Sequence, residues 1–118
     1  MRDHTKLRAF ALADEVALLT YRITAGFPKE EIYGLVSQMR RAAVSVPSNI
    51  VEGCARESQA DYSRFLIIAF GSLRELHYQL NLSMRLGFLG VQDSLLIEPV
   101  AVETEKVLNA LIKKMRGD

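Results

Sequence analysis

An apolar stripe that runs straight across a proline constrains this chain more than any other feature. Ile32, Val36, Met39, Ala43, Val46 and Ile50 step by four and three residues in turn, the spacing that holds one face of an α-helix against a partner. Pro47 sits within that stripe. It removes an N–H and crowds the carbonyl of Ala43, at a cost of roughly 3 kcal/mol in an undisturbed helix. Two arrangements are open. The helix continues with a kink, its freed carbonyl met by Ser45, Ser48 or water. Alternatively, it stops near Val46 and restarts with Asn49 as N-cap and Glu52 reaching back to it. Ile50 stays on the stripe, so the continuous kinked helix is expected.

The other segments read as helices too. Leu7, Phe10, Ala17 and Tyr21 mark a face of a first helix from about Lys6 to Thr24, with Gly26 as its stop. Pro28 can open the second helix without losing a bond, Glu30 and Glu31 suit its positive first turn, and it runs to about Ala55. Ser58 and Asp61 form a capping box for the third, whose stripe is Tyr62, Leu66, Ala69, Leu73, Leu76 and Leu80 and whose end is Gly87. Asp93 or Ser94 could cap the fourth, but Pro99 then lies inside it, so its regular part is expected from near Glu98 to about Met115, with Ile97, Val100, Thr104, Val107 and Leu111 as its stripe. The expected fold is all-α: a single domain over 1–118, packed as an up-down-up-down four-helix bundle. On these boundaries the second and third helices are each about 27 residues, ~40 Å long, and overhang the other two at ~30 Å.

One segment has more apolar surface than a solitary bundle hides. Phe65-Leu66-Ile67-Ile68-Ala69-Phe70 is apolar all round the helix, whereas a helix in a monomeric bundle keeps a solvent face. Phe65, Ile67, Ile68 and Phe70 are therefore expected at a contact between copies of the chain. Gly71 and Ser72 follow inside the same helix. Glycine there costs ~1 kcal/mol against alanine, which predicts a tight approach of the second and third helices around Gly71.

Composition excludes several classes. The lone Cys54 cannot form an internal disulfide and fits a reducing cytoplasm. Asp3, Asp14 and Glu15 interrupt anything resembling a signal peptide, and no apolar run is long enough to span a bilayer. A net charge of +1 argues against a protein that wraps duplex nucleic acid. The only histidines are His4 and His77, with no Glu-x-x-His pair for a di-iron bundle. Glu75 and His77, two apart, point to nearly opposite sides of a helix. There is no phosphate loop and no nucleophile turn. No catalytic residue, metal ligand or cofactor is expected, and the chain is not read as an enzyme.

Two polar groups remain. Arg40, Arg41, Ser45, Ser48, Asn49, Glu52, Arg56 and Glu75 surround Pro47 and the facing helix, and are read as fixing the kink and the assembly. An up-down bundle would also gather Lys6, Arg8, Arg64, Lys113, Lys114 and Arg116 at one end. Repeated in an oligomer, those cations could hold the phosphates of RNA or DNA.

A resemblance covers nearly the whole chain. Phe27-Pro28, Glu31-Ile32-Tyr33-Gly34-Leu35, Gln38-Met39-Arg40-Arg41-Ala42, the block Ser45-Val46-Pro47-Ser48-Asn49-Ile50-Val51-Glu52-Gly53, Arg56, Phe65-Leu66 and Gly71-Ser72-Leu73-Arg74-Glu75-Leu76 resemble the bacterial four-helix-bundle proteins named for the 23S rRNA intervening sequence. His77 stands where relatives commonly carry an acid. The resemblance implies a left-handed bundle, a ring that is commonly a pentamer, and a molecular role that is unsettled. Distant relatives assist retroelement reverse transcriptases through a strongly basic surface. The leading expectation is a non-catalytic homo-oligomeric scaffold; the alternative is a nucleic-acid-binding accessory protein using the basic end.

Overall fold

The computed structural model describes residues 2–117, folded into α1 (Arg8–Thr24), α2 (Leu35–Cys54), α3 (Gln59–Arg85) and α4 (Val91–Arg116), with no strand among the described residues. Each helix packs on two others: α1 and α3 both lie against α2 and α4, and the α2–α3 contact is the broadest. The diagonal pairs stand farther apart. Short connections make neighbours antiparallel, and both ends are tied. Phe27 after α1 meets Phe88 after α3 with ring centroids 5.9 Å apart. At the other end the Gln59 amide donates to the Met115 carbonyl at 2.8 Å. The chain is therefore a four-helix bundle, 43 Å in its longest dimension.

The stripe across Pro47 is one helix: α2 runs unbroken from Leu35 to Cys54, and the restart at Asn49 does not occur. The hydroxyl expected to mend the helix is used elsewhere. Ser45 Oγ lies 2.8 Å from Ser72 Oγ on α3, and the Asn49 amide donates to the Ser45 carbonyl at 2.8 Å and to Ser45 Oγ at 3.0 Å. Ser48 is exposed.

Three boundaries differ from the sequence reading. The second helix begins at Leu35 rather than Pro28, because Gly34 takes a non-helical conformation (φ −113°, ψ −112°) after a short 3-10 turn over Lys29–Glu31. Glu31 then caps α2, accepting the Leu35 N–H at 3.2 Å. The first helix starts at Arg8, after a 3-10 turn whose N-cap Asp3 accepts from Thr5 N at 3.0 Å. The fourth begins at Val91 and takes Pro99 into its interior. Pro99 is exposed and blocks the carbonyl of Leu95, which is also exposed, so water can meet the orphaned group. The long hairpin is thus α3–α4, of 27 and 26 residues, while α2 has 20 and α1 has 17. The expected overhang of the second and third helices is absent.

The start and end of α3 are as the sequence predicts. Ser58 Oγ accepts the Asp61 N–H at 3.0 Å. Gly87 takes a left-handed φ of 79°, and the Phe88 and Gly87 N–H groups return to the Ser83 and Met84 carbonyls at 2.9 and 3.0 Å, a Schellman closure. The predicted close approach at Gly71 is wrong. Gly71 is exposed with open space around it; the close approach is at Gly53, where a Cβ would stand 2.9 Å from Phe65 Cβ.

The core is apolar and continuous, with Met39, Ile50, Leu66, Leu73, Leu80, Ile97 and Leu108 fully buried. The hydroxyls of Thr20, Thr24, Ser83 and Thr104 each donate to the carbonyl four residues earlier at 2.6–2.8 Å, whereas Ser63 Oγ and Gln79 Oε1 are buried with no hydrogen-bond partner. No helix among the described residues is long and apolar enough to cross a membrane.

Candidate functional site

The polar set read around Pro47 does not converge on one point. Arg40 turns towards α1, donating to Thr24 Oγ1 at 2.9 Å, with its guanidinium 4.6 Å from the centre of the Tyr21 ring. Arg41 turns the other way and pairs with Glu75 on α3, which also accepts from Gln79 at 3.1 Å. Glu52 and Arg56 pair with each other at 2.7 Å along α2. Ser45, Asn49 and Ser72 form the third group described above. Apart from the Glu52–Arg56 pair, which stays within α2, these contacts clip α2 to its neighbours. They enclose no common pocket.

The Phe65–Phe70 segment is divided by the fold. Phe65 is only 7 % exposed, with the guanidinium groups of Arg56 and Arg64 lying 4.8 and 4.6 Å from its ring centre. It is packed largely within its own chain. Phe70 is half-buried against the core. Ile67 and Ile68 remain outward, 45 % and 42 % exposed.

The basic residues do gather at one end, since the Arg2 N–H bonds the Cys54 carbonyl at 3.0 Å and Gln59 reaches Met115. Part of the charge is spent locally. Arg8 pairs with Glu103 at 3.1 Å, and Arg64 stands 3.7 Å from Asp61. Lys6, Lys113, Lys114 and Arg116 are exposed.

Two features were missed in the sequence. The first is an open groove of about 580 Å³ over the outer face of α2 and the turn before it, lined by Tyr21, Ile32, Tyr33, Val44, Arg40 and Arg41 among others. Tyr33 stands 97 % exposed at its mouth. The displaced start of α2 creates this groove: Ile32 was assigned to the buried stripe, and the turn through Gly34 puts it outside. The second is a network between α3 and α4. His77 Nε2 lies 2.9 Å from Glu98, its Nδ1 lies against Glu105, and Arg74 reaches the other Glu105 oxygen. Glu98 and Glu105 are seven apart and Arg74 and His77 three apart, the spacings that share a helix face. That pattern was in the sequence. The two carboxylates occupy opposite edges of the imidazole, and among the described residues no group of three His, Cys, Asp or Glu side chains is placed to hold a metal ion.

The one thiol is not poised for attack. Cys54 is buried, and burial pushes its pKa up, which disfavours the thiolate that nucleophilic chemistry needs. Its neighbour Tyr62, likewise buried, is pushed up to about 12 chiefly by desolvation.

Comparison with known proteins agrees with the fold. The 23S rRNA-intervening sequence protein family matches residues 5–110. No curated protein matches. A crystal structure from Bacteroides thetaiotaomicron, described as a protein of unknown function from the S23 ribosomal protein family, is similar with a TM-score of 0.80 and 24 % identity, covering 89 % of this chain and 95 % of that one.

Proposed function

Because the chain belongs to the 23S rRNA-intervening sequence protein family, we propose that it shares the non-catalytic role expected from that resemblance: a homo-oligomeric helical scaffold, probed first through its assembly. The observation that carries this is the apolar surface left on a finished bundle. Tyr33, Ile67, Ile68 and Leu95 stay exposed although the core beneath them is complete. Patches of this kind mark association surfaces. The polar groups support the reading: Arg40, Arg41, Ser45 and Glu75 join α2 to α1 or α3 rather than converging on a substrate-sized cleft. A ring of five copies in the cytoplasm is the form the family resemblance suggests. Sedimentation velocity on the full chain at micromolar concentration tests it: a species of several subunits is expected, and a monomer overturns the proposal.

A second reading rests on the cationic end. Lys6, Lys113 and Lys114 are exposed together with Arg116 near the terminus of α4, and a ring would repeat them around one rim. RNA or DNA binding, including assistance to a reverse transcriptase, would then weaken steeply with salt. Binding that is absent at low salt, or insensitive to salt, removes this reading.

A further inference from the structure

The imidazole of His77, on α3, has a carboxylate of α4 at each of its nitrogens. Nε2 lies 2.9 Å from Glu98 and Nδ1 lies against Glu105. A neutral imidazole has one N–H and one lone pair, so it donates to one carboxylate and turns the lone pair on the other. Both contacts are made in full only with one further proton in the cluster. On the ring, that proton gives a second donor; on a carboxyl, it gives an O–H for the bare nitrogen. The proton count is the same wherever it rests.

The surroundings decide which contact depends on that proton. Arg74, three residues earlier on α3, holds the second Glu105 oxygen. Tyr78 and Asn81 border Arg74 and His77 in an open pocket. On α4, Glu103 is turned away to Arg8 of α1. Among the described residues, no charged side chain of α1 or α2 pairs with Arg74, His77, Glu98 or Glu105. Glu105 therefore keeps a partner in either state, whereas Glu98 has His77 alone. Glu105 is also the more covered, its side chain 12 % exposed against 33 % for Glu98. Glu98 is thus the carboxylate that can turn to water. When the further proton leaves, the one that remains stays on Nδ1, facing Glu105, and the Glu98 contact is lost.

Glu98 stands at a weak point of α4. Pro99, next to it, has no N–H for the Leu95 carbonyl. None of residues 91–96 is buried. That segment is pinned by Leu89 ahead of it and by Ile97 and Glu98 at its far end. A segment with so few buried contacts opens at less cost than the bundle as a whole.

We infer that this cluster is a proton-operated clasp on the start of α4. With the further proton bound, His77 ties Glu98, and with it residues 91–98, to α3. As pH rises and the proton leaves, that segment loosens, while Arg74–Glu105 and the core hold the rest of the hairpin. The stabilisation is present on the acid side and lost towards the alkaline side, because the closed clasp binds a proton that the opened one does not need. The inference does not depend on the scaffold reading.

Hydrogen exchange on the full chain tests it at about pH 5.5 and about pH 8.5, either side of the range in which histidines change charge. Rates are corrected for the intrinsic pH dependence of exchange. Protection of the amides of residues 95–98, taken relative to α2, should fall about three- to tenfold at the higher pH, the effect of one charge-assisted bond discounted for partial exposure. His77→Gln cannot take up the proton and should show the same relative protection at both. In Glu98→Gln the new amide can donate to a bare Nε2, so protection should persist at both. Nitrogen-15 shifts should show the His77 ring protonated on Nδ1 at the higher pH. Relative protection that does not change with pH in the unaltered chain overturns the inference, whether or not the variants fold. So does a fall of equal size in His77→Gln, or a ring whose Nδ1 is the bare nitrogen at the higher pH.

Discussion

Replacing Gly53 by alanine sets two effects of known sign against each other, and the structure decides between them. Within a helix, alanine is favoured over glycine by about 1 kcal/mol. At Gly53 the added methyl would lie 2.9 Å from Phe65 Cβ and 3.3 Å from Tyr62 Cδ1. Cβ of Phe65 is fixed to the backbone of α3, so no flexible tip can swing away. Either α2 and α3 separate or Phe65 shifts from beneath Arg56 and Arg64. Forcing a methyl into a packed contact costs typically ~1–3 kcal/mol, so the net loss should be about 1 kcal/mol and the melting temperature should fall by roughly 4 °C. Gly71→Ala is the control. Gly71 is helical, exposed and faces open space, so the propensity term acts alone and should stabilise the subunit by up to ~1 kcal/mol. Urea denaturation at one fixed protein concentration measures both. If Gly53→Ala proves as stable as Gly71→Ala, the close approach of α2 and α3 is not where the structure puts it.

Glu105→Ala should lower stability by ~1–2 kcal/mol in the same assay, since it strips a mostly covered carboxylate from both Arg74 and His77; Arg41→Ala, at an exposed pair, should cost under ~1 kcal/mol, and equal losses would contradict that ranking. Asn49→Ala removes the two bonds to Ser45 and should cost ~1 kcal/mol; a melting curve matching the unaltered chain would show that α2 does not need them. Tyr62 ionises at about 12 in the fold against an ordinary value of 10.0, so the unfolded chain loses that proton first as pH rises. Its contribution is whole below pH 10 and disappears towards pH 12, and Tyr62→Phe should flatten that part of the alkaline stability curve.

Periodicity made the helices legible because it reports burial directly. From Val36 onward the stripe on α2, like the whole stripe on α3, is the one that the core covers, and Ile50 carried the helix across Pro47 as its position required. Helix boundaries were less legible where backbone geometry outweighed composition. Pro28 followed by two glutamates looks like a helix start, yet Gly34 leaves helical geometry and moves the start to Leu35. Pro99 looks as if it must delay the fourth helix, yet at an exposed position its lost bond is cheap. Side-chain placement was harder still. Phe65 appeared surplus because sequence spacing cannot show Arg56 and Arg64 closing over its ring. The reason for a conformationally costly Gly71 was sought inside the bundle, whereas the fold places it outside.

That reversal at the two glycines bears on what kind of protein this is. Gly53 is explained by a contact within the chain, since no larger side chain fits beside Phe65. Nothing within the chain explains Gly71: an alanine would fit and would favour the helix. The same asymmetry separates the polar residues from the apolar ones. Arg40, Arg41, Asn49, Glu75 and His77 all have partners inside the bundle, whereas Tyr33, Ile67, Tyr78 and Leu95 have surfaces that no part of the chain covers. Those five polar side chains are engaged within the bundle while these four apolar ones stay bare, and Gly71 lies on the bare side.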